Sequence, residues 1–295
     1  MTNYKNAFRL NNSLSTKTFP PPMIMGILNL TPDSFSDGGR YDSVTSAVER
    51  GLEMLREGAD IIDIGGESTQ PGAARVSALE QKRRVLEVIE QLRERLPSGF
   101  PISIDTTMSE VARQAIAQGA SMINDVSAGR DDPEMLHLAA AAQVPLVLMH
   151  GHNPSESLQK AAESRSLVAE VMEFLEQRIQ SALRAGVKPE ALILDPGIGF
   201  GKRREHNLLL LGALQQLAEM GYPLLLGVSR KRFMGSLCAV TEPEQLLPAT
   251  CACTALGVMA GVRIFRVHDV WQNRQVVDVA WAIRNRNPSA LTSVG

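Results

Sequence analysis

Short, continuously apolar runs alternate along the chain with longer stretches that have helical spacing. The apolar runs are rich in leucine and β-branched side chains, as expected of parallel strands that are buried on both faces. They predict eight strands: Met23–Leu28, Asp60–Ile64, Pro101–Ile104, Ser121–Asn124, Pro145–Met149, Leu192–Leu194, Pro223–Val228 and Arg263–Val267. A helical stretch follows each strand: Thr45–Glu57, Ala78–Leu96, Ser109–Gln118, Pro133–Ala142, Leu158–Ala185, Glu205–Met220, Glu244–Ala260 and Trp271–Arg284. The chain is therefore predicted to repeat one strand–helix unit.

Local signals mark several of the predicted helix ends. Residues Ser77–Glu80 have the form of a capping box, and Asp131–Pro133 place a capping residue ahead of a proline at the first helical position. Four helices are expected to end at a glycine just before the next strand: Gly58, Gly119, Gly186 and Gly221. These signals set the boundaries between the repeating units.

Eight alternating β and α units in 295 residues predict an α/β fold, a (β/α)8 TIM barrel. A doubly wound open sheet is the alternative, because counting the units cannot prove that the sheet closes. No linker rich in Ser, Gly or Pro divides the chain, so we expect a single barrel domain over residues 23–287. Residues 1–22 are predicted to be an extension that could form a hairpin at the barrel base, and residues 288–295 a C-terminal tail.

Composition limits the classes of function. Lys and Arg number 30 against 32 Asp and Glu, and this near-neutral balance argues against a nucleic-acid partner, which needs a basic face. No apolar run approaches the roughly 18 residues of a membrane span, and the N-terminus lacks the apolar region of a signal peptide. Cys238, Cys251 and Cys253 are an odd number without a disulfide framework. We therefore expect reduced thiols in a cytoplasmic protein that does not bind a membrane.

Polar residues collect where the predicted strands end. In a barrel the active site lies at the carboxyl ends of the strands. These ends carry Asn29, Asp63, Asp105, Asn124, Met149–His150, Asp195, Ser229–Lys231 and Arg266–Asp269. A single aspartate at a strand end usually caps a helix or forms a turn. A whole ring of polar residues instead predicts the floor of an active site.

The residue types in the ring suit a flat heterocycle joined to an anion. The carboxylates of Asp105 and Asp195 and the amide of Asn124 match a ring with amino and N–H groups, such as a pterin or a guanine. Three residues supply cationic donors for an anion: Lys231, Arg266 and His268. Arginine in particular suits bidentate contact with phosphate.

The first strand ends at Asn29 and leads into a polar loop, Thr31–Tyr41. Phe35 lies in the middle of this loop with no local apolar pattern to bury it. Loops of this kind on the end of a buried strand often bind ligands. Asn29, with oxygen ligands from Asp33 or Asp37, could hold a Mg²⁺ ion that shares its coordination shell with phosphate.

Residues 23–41 resemble the N-terminal signature of the dihydropteroate synthases, and residues 61–72 resemble that family's second signature. Five further blocks are similar to the family in the same order: Ser103–Thr106, Ile123–Val126, Leu194–Lys202, Gly227–Lys231 and Phe265–Val270. The resemblance implies a transferase of folate biosynthesis. Such an enzyme condenses 6-hydroxymethyl-7,8-dihydropterin diphosphate with p-aminobenzoate and releases pyrophosphate. The resemblance also implies Mg²⁺ as cofactor and a homodimer formed through late helices.

The family's roles, transferred to matching positions, form four groups. Pterin binding is implied for Asp105, Asn124, Val126, Met149, Asp195, Phe200, Gly227 and Lys231. Binding of the diphosphate is implied for Asn29, which would also contact Mg²⁺, and for Thr69, Arg266 and His268. The p-aminobenzoate pocket, where sulfonamides bind in this family, is implied to include Phe35, Pro71 and Ser229. Catalysis is predicted to involve Lys231, Arg266, His268, Asp33 and Asp37.

Two features depart from the family pattern. Gln70 stands where the family usually has arginine, and the segment Met149–Pro154 is one residue shorter than usual. Two other hypotheses stay open. Gln70 favours a pterin-binding paralogue without condensing activity, and the other hypothesis is a methyltransferase barrel of the methyltetrahydrofolate type. The methyltransferase would not need Phe35 on a long loop or the pair of Arg266 and His268, so the synthase is the favoured interpretation.

Overall fold

The computed structural model describes residues 20–30, 44–67, 75–151 and 164–285. Eight parallel strands form its sheet: β1 (Met23–Asn29), β2 (Ile61–Gly65), β3 (Ile102–Asp105), β4 (Met122–Asp125), β5 (Leu146–Met149), β6 (Leu192–Asp195), β7 (Leu225–Leu226) and β8 (Ile264–Val267). The strands are ordered β6-β5-β4-β3-β2-β1-β8-β7. A parallel bridge between Leu194 and Leu224 joins β6 to β7 and closes the ring. The predicted barrel is confirmed, and the open doubly wound sheet is wrong.

The strand β7 is shorter than predicted. It covers Leu225–Leu226 rather than Pro223–Val228. Pro223 has no N–H to donate to a neighbouring strand, and Gly227 has low strand propensity. The Pro223 carbonyl still accepts a hydrogen bond from the backbone N–H of Leu194 at 2.9 Å. The other seven strands lie within one residue of their predicted bounds.

The described ranges contain ten α-helices: α1 (Val44–Arg56), α2 (Ala78–Arg95), α3 (Ser109–Ala117), α4 (Glu134–Ala142), α5 (Ser164–Arg184), α6 (Arg204–Gly212), α7 (Leu214–Ala218), α8 (Arg232–Cys238), α9 (Leu247–Ala260) and α10 (Val270–Asn285). The single helix predicted over Glu205–Met220 is broken at Ala213, whose φ of −100° and ψ of 9° are not helical. The helix α8 was not predicted, because its seven residues are too few for a clear period. The first predicted turn of α9 is a 3-10 turn, Pro243–Leu246. The predicted start of α5 at Leu158 lies outside the described residues.

The predicted helix ends are largely present. The hydroxyl of Ser77 accepts a hydrogen bond from the backbone N–H of Glu80 at 3.3 Å, whereas the Glu80 carboxylate binds two arginines of its own helix. The helix α4 begins after Pro133, one residue later than expected. The four helix-ending glycines all have positive φ: Gly58, Gly119, Gly186 and Gly221. At Gly119, where φ is 111°, a Cβ would lie 2.6 Å from Cγ of Arg93, so a side chain is excluded.

The interior of the barrel has an apolar lower layer. It consists of one side chain from each of seven strands: Met25, Ile61, Met122, Val147, Ile193, Leu225 and Ile264. Side chains two residues apart on a strand share a face, so the next inward positions point into the same space. These positions hold Asp63, Asn124, Met149, Asp195, Gly227 and Arg266, and β3 contributes Ser103 and Asp105. A larger apolar core packs the outer face of the sheet against the helices.

Both predicted terminal segments fall largely outside the described residues. The proposed hairpin is described only from residue 20 onward, and the tail at residues 288–295 is not described. The domain boundaries at residues 22 and 287 therefore stay predictions. No helix in the described ranges combines the length and the apolar character needed to cross a membrane.

Candidate active site at the carboxyl ends of the strands

The register of the strands brings the predicted polar residues to one end of the barrel. Backbone pairing aligns Asn29 with Gly65, Gly65 with Asp105, and Asp105 with Asn124. A further alignment pairs the last residues of β5 and β6. The ring predicted from the sequence is therefore a continuous structural feature rather than a set of separate helix caps.

A network of charged side chains fills the centre of this ring. Arg266 Nε donates to Oδ2 of Asp63 at 2.6 Å, and Arg266 Nη2 donates to Oδ2 of Asp105 at 2.7 Å. Asn124 Nδ2 donates to the same oxygen of Asp63 at 3.1 Å. Asp63, which the sequence places in the ring of polar strand ends without a binding role of its own, is fully buried in the middle of the network. The signal for it in the sequence is one acidic residue inside the apolar run Ile61–Ile64.

Burial raises the pKa of two carboxyl groups in the ring. Loss of solvation raises the pKa of Asp195 to about 6, against the opposing effect of the Gly197 N–H, which lies 2.7 Å from Oδ1. Burial also raises the pKa of Asp105, while the Arg266 guanidinium lowers it and the Asp63 carboxylate raises it further. A ligand that donates N–H groups favours the ionised carboxylates. Both residues therefore suit a heterocycle with amino and ring N–H groups.

Two half-buried lysines lie beside the carboxyl end of β6. Lys231 Nζ lies 4.0 Å from the centroid of the Phe200 ring, and burial lowers the pKa of Lys231 to about 8. Lys202 Nζ donates to the carbonyl oxygens of His150 at 3.0 Å and Gly197 at 2.8 Å. Burial lowers the pKa of Lys202 to about 7. Lys202, which carries no predicted role, therefore ties the loop after β5 to the loop after β6.

The surroundings of His268 disfavour the cationic form that the sequence predicts. Its Nδ1 lies 2.9 Å from Oγ of Ser229, and the same hydroxyl accepts from the backbone N–H of His268 at 3.2 Å. Burial, with added repulsion from Arg230 and Arg266, lowers the pKa of His268 to about 3. Arg230 is held by Asp269, with Nη2 2.7 Å from Oδ1. In its neutral form the imidazole can donate one N–H to an anion.

Apolar side chains border the polar floor. Met149 is buried at the end of β5, and Val126 and Phe200 are half-buried in the loops that follow β4 and β6. Gly227 directly follows β7, and a Cβ there would lie 3.9 Å from Cβ of Arg266. The structure therefore brings these four residues to the rim of the same barrel opening.

Gly65 leaves a small space between two oxygen atoms at the rim. A Cβ at this position would lie 3.6 Å from Oδ1 of Asn29 and 3.7 Å from Oδ2 of Asp105. The two side-chain oxygens therefore face a shared space at the carboxyl end of β2. Amide and carboxylate oxygens of this kind are the ligands that a hard cation prefers.

Several predicted site residues lie outside the described part of the chain: Asp33, Phe35, Asp37, Thr69 and Pro71. The same holds for Gln70, the position that departs from the family pattern. Within the described ranges, no group of three or more His, Cys, Asp or Glu side chains could hold a metal ion. The roles expected of the loop residues stay predictions.

Comparison with protein families gives a match over most of the chain. The family model described as pterin binding enzyme matches residues 25–268. The dihydropteroate synthase of Synechocystis sp. is 42% identical over 279 residues, which cover 90% of this chain and 96% of the relative. The match therefore includes every strand that contributes to the ring.

Solved structures of similar sequence have the same fold. The dihydropteroate synthase of Xanthomonas albilineans with 4-aminobenzoic acid is 45% identical, has a TM-score of 0.82, and the match covers 90% of this chain and 93% of that one. The same enzyme with 7,8-dihydropteroate has a TM-score of 0.80 at 42% identity, with coverages of 91% and 95%. The Yersinia pestis enzyme in a sulfonamide drug complex has a TM-score of 0.82 at 38% identity, with coverages of 90% and 95%. These similarities confirm what the strand-end motifs predict, and the chain belongs to the family of pterin-binding enzymes that includes the dihydropteroate synthases.

Proposed function

We propose that this protein is a transferase that condenses 6-hydroxymethyl-7,8-dihydropterin diphosphate with p-aminobenzoate and releases pyrophosphate, a step of folate biosynthesis. The observation that carries the proposal is the buried network of Arg266, Asp63 and Asp105 at the end of a barrel similar to those of dihydropteroate synthases. In this reaction the bond from the 6-methylene carbon to the diphosphate oxygen breaks first, because the pterin ring delocalises the resulting cation. The aromatic amine then forms a bond to that carbon and releases a proton. The amine is neutral, so the site needs no strong base.

The pterin ring is proposed to bind between the carboxyl ends of β3, β4 and β6. Asp105, Asn124 and Asp195 supply acceptors for its amino and ring N–H groups. Lys231 supplies a donor for its carbonyl oxygen, and its contact with Phe200 fixes the ammonium group beside an aromatic face. The apolar rim around Met149 and Val126 then packs against the ring. The absence of a side chain at Gly227 leaves room for that contact.

The diphosphate is proposed to lie at the rim, where Asn29, Thr69, Arg266 and His268 would bind it. The charge of Arg266 is shared with the carboxylates of Asp63 and Asp105. Burial lowers the pKa of His268, so in the absence of the anion its imidazole is a neutral donor. Arg266 therefore acts as a donor of fixed orientation rather than as a free cation. Further positive charge is needed to stabilise the departing pyrophosphate.

We propose that Mg²⁺ binds beside Asn29. The residues fit this ion, because the amide oxygen of Asn29 faces the space that Gly65 leaves open at the rim. Mg²⁺ usually takes only one or two protein ligands together with substrate phosphate and water. The predicted partners Asp33 and Asp37 lie outside the described residues. When bound, the ion would stabilise negative charge on the leaving diphosphate.

The p-aminobenzoate pocket is proposed to lie above Ser229, with Phe35 and Pro71 closing it from the first two loops. The structure describes only the Ser229 side, where the hydroxyl is held by His268. Sulfonamides are proposed to occupy the same pocket. The Yersinia pestis relative has been solved in a complex with a drug of this class.

Release of pyrophosphate tests the proposed reaction. Purified protein is mixed with pterin diphosphate, p-aminobenzoate and Mg²⁺, and pyrophosphate is measured with an enzyme-coupled assay. Omission of p-aminobenzoate, and addition of EDTA, should each abolish the signal. Pterin binding without pyrophosphate release would favour the non-condensing paralogue that Gln70 suggests. Methyl transfer from methyltetrahydrofolate would instead favour the methyltransferase hypothesis.

We propose that the protein forms a homodimer through α9 and α10. Leu256 and Met259 on α9 are 67% and 50% exposed, and Val279 and Ile283 on α10 are 60% and 64% exposed. The spacings of three and four residues place each pair on one face of its helix. Sedimentation equilibrium should give twice the monomer mass, and a Leu256→Glu variant should shift the equilibrium to the monomer. A monomeric wild-type protein would refute the proposal.

We also propose a cytoplasmic location. All three cysteines, Cys238, Cys251 and Cys253, are free thiols. Free thiols persist in reducing compartments. Fractionation of cells that produce the full chain would test this, and recovery of the protein outside the cytoplasm would contradict it.

A further inference from the structure

Asp63 is a fully buried carboxylate beneath the proposed pterin site. Side chains alternate along β2, so Asp63 points inward between Ile61, which belongs to the apolar layer, and Gly65, which lies at the rim. The side chain of Asp63 has no exposed surface, whereas Asp105, Asn124 and Arg266, which are proposed to bind the substrate, each keep some. Asp63 therefore supports the floor of the site rather than contacting a substrate.

Two proposed substrate-binding residues share one oxygen of Asp63. Oδ2 accepts from Nε of Arg266 at 2.6 Å and from Nδ2 of Asn124 at 3.1 Å. This single atom therefore connects β2, β4 and β8 across the interior. The guanidinium plane of Arg266 is then fixed by two carboxylates, because its Nη2 is bound to Asp105.

The same contact sets the direction of the Asn124 amide. An ionised carboxylate can only accept hydrogen bonds, so the nitrogen of the amide must face Asp63. The amide oxygen of Asn124 is then directed away from Asp63, where it can act as an acceptor. A pterin edge that carries N–H donors requires this orientation. If the Asn124 amide were flipped, its NH₂ group would face the N–H groups of the pterin, and no hydrogen bond could form.

Stability alone does not explain an aspartate at this depth. Oδ1 of Asp63 and Oγ of Ser103 are buried with no hydrogen-bond partner among the described residues, and the two residues are paired in the register of β2 and β3. A buried polar atom without a partner destabilises the folded state. Replacing a buried ion pair with well-packed apolar residues often leaves the stability of the protein unchanged or increases it. The presence of a carboxylate at this position therefore favours a functional role over a purely structural one.

We infer that Asp63 is a positioning residue, which orients Arg266 and Asn124 for the substrate without contacting the substrate itself. This inference rests on the proposed function. Loss of the acceptor would leave Arg266 bound to Asp105 alone and would leave the Asn124 amide free to flip. Both changes act on the pterin diphosphate, and neither acts on p-aminobenzoate.

Two substitutions separate the acceptor of Asp63 from its charge. Asp63→Ala removes both, whereas Asp63→Asn keeps a neutral acceptor of the same size. Asp60 provides the matched control, because one of its oxygens likewise accepts two hydrogen bonds, one of them from an arginine. Its Oδ2 accepts from the backbone N–H of Ile24 at 2.8 Å and from Nη1 of Arg274 at 3.1 Å. Asp60 immediately precedes β2, at the opposite end of the barrel from the site.

Steady-state kinetics and thermal melting test the inference. Asp63→Ala should raise the KM for pterin diphosphate or lower kcat, with a combined loss in kcat/KM of at least about tenfold, because small misplacements of contacting groups reduce rates strongly. Asp63→Asn should recover part of this loss, and the KM for p-aminobenzoate should stay within about twofold. Asp60→Ala and Asp60→Asn should lower the Tm and leave all three kinetic parameters unchanged.

A spectroscopic readout tests the positioning without any turnover. The Nε–H resonance of Arg266, assigned by its loss in Arg266→Lys, should exchange slowly in the wild-type protein and faster in both Asp63 variants. If Asp63→Ala fails to fold, the same comparison is made with Asp63→Asn alone. The inference is overturned if the Asp63 variants match the Asp60 variants in kinetics, or if the Arg266 resonance is unaffected. A wild-type protein without turnover would refute the proposed reaction, and this resonance would still decide the role of Asp63.

Discussion

Asp195→Asn is expected to remove one charge-assisted contact from the pterin site. Asp195 is buried at the end of β6, where the N–H of Gly197 holds its carboxylate at 2.7 Å. A contact between an ionised group and a ligand N–H contributes about 1.5–3 kcal/mol. The affinity for a pterin should therefore fall about 10- to 150-fold. Asparagine keeps the shape of the side chain, so the fold should survive the change.

The same substitution should remove a pH dependence of binding. Burial raises the pKa of Asp195 from 3.8 to about 6. Between about pH 4 and about pH 6, Asp195 is therefore protonated in the folded protein but ionised in the unfolded chain. This group therefore makes folding stability fall as the pH rises from about 4 to about 6. Pterin binding requires the ionised carboxylate, so the affinity should rise as the pH increases through about 6 and then level off. Asp195→Asn should lack this rise.

Calorimetric titration with hydroxymethyl pterin, from about pH 5 to pH 8, measures both the affinity for the pterin and its dependence on pH. Asp60→Asn serves as the control, because it removes a carboxylate near the base of the barrel, where Asp60 binds Ile24 and Arg274. An Asp195→Asn protein with wild-type affinity and wild-type pH profile would show that Asp195 does not contact the pterin.

Three further outcomes follow from the site. Arg266→Ala should weaken binding of pterin diphosphate more than binding of free hydroxymethyl pterin, and equal losses in calorimetry would assign Arg266 to the ring alone. Lys202→Met should raise the KM for pterin diphosphate several-fold, because Lys202 holds the loops that carry His150 and Gly197; an unchanged KM would limit Lys202 to a structural role. Ser103→Ala should raise the free energy of unfolding by about 1 kcal/mol, since it removes a buried hydroxyl with no partner among the described residues. Urea denaturation measures this change, and a loss of stability would contradict it.

The features of this fold that depend on local pattern could be predicted from the sequence. Buried parallel strands are continuous apolar runs, so seven of the eight strands lie within one residue of the expected bounds. The ring of polar strand ends also follows from local pattern, because every strand of a barrel presents its carboxyl end to the same face. Asn29, Asp105 and Asp195 could therefore be placed together before any contact was known.

The pairings inside the ring could not be predicted in the same way. Arg266 and Asp63 are 203 residues apart in the sequence, and their contact depends on the register of all the strands between them. The lowered pKa of His268 depends on its burial and on two nearby arginines, and the local sequence shows neither effect. A histidine in a motif with Arg266 therefore suggests a cation, whereas the folded environment lowers the pKa of His268 and disfavours the charged form.

The strand pairs of the barrel differ in how many residues join them, and this difference affects where the wall can open. β1 and β2 are joined by five aligned residue pairs, whereas β7 is joined to β8 by two and to β6 by the bridge between Leu194 and Leu224. The junction of β6 and β7, which we call the seam, is therefore where the barrel wall is expected to open locally most often. Its amide protons should exchange faster than those of any other strand pair. Asp195 is the residue that follows Leu194 at this seam. Transient parting of the wall would widen the mouth of the barrel beside Asp195, so a flat ring could enter or leave without unfolding the rest of the cylinder.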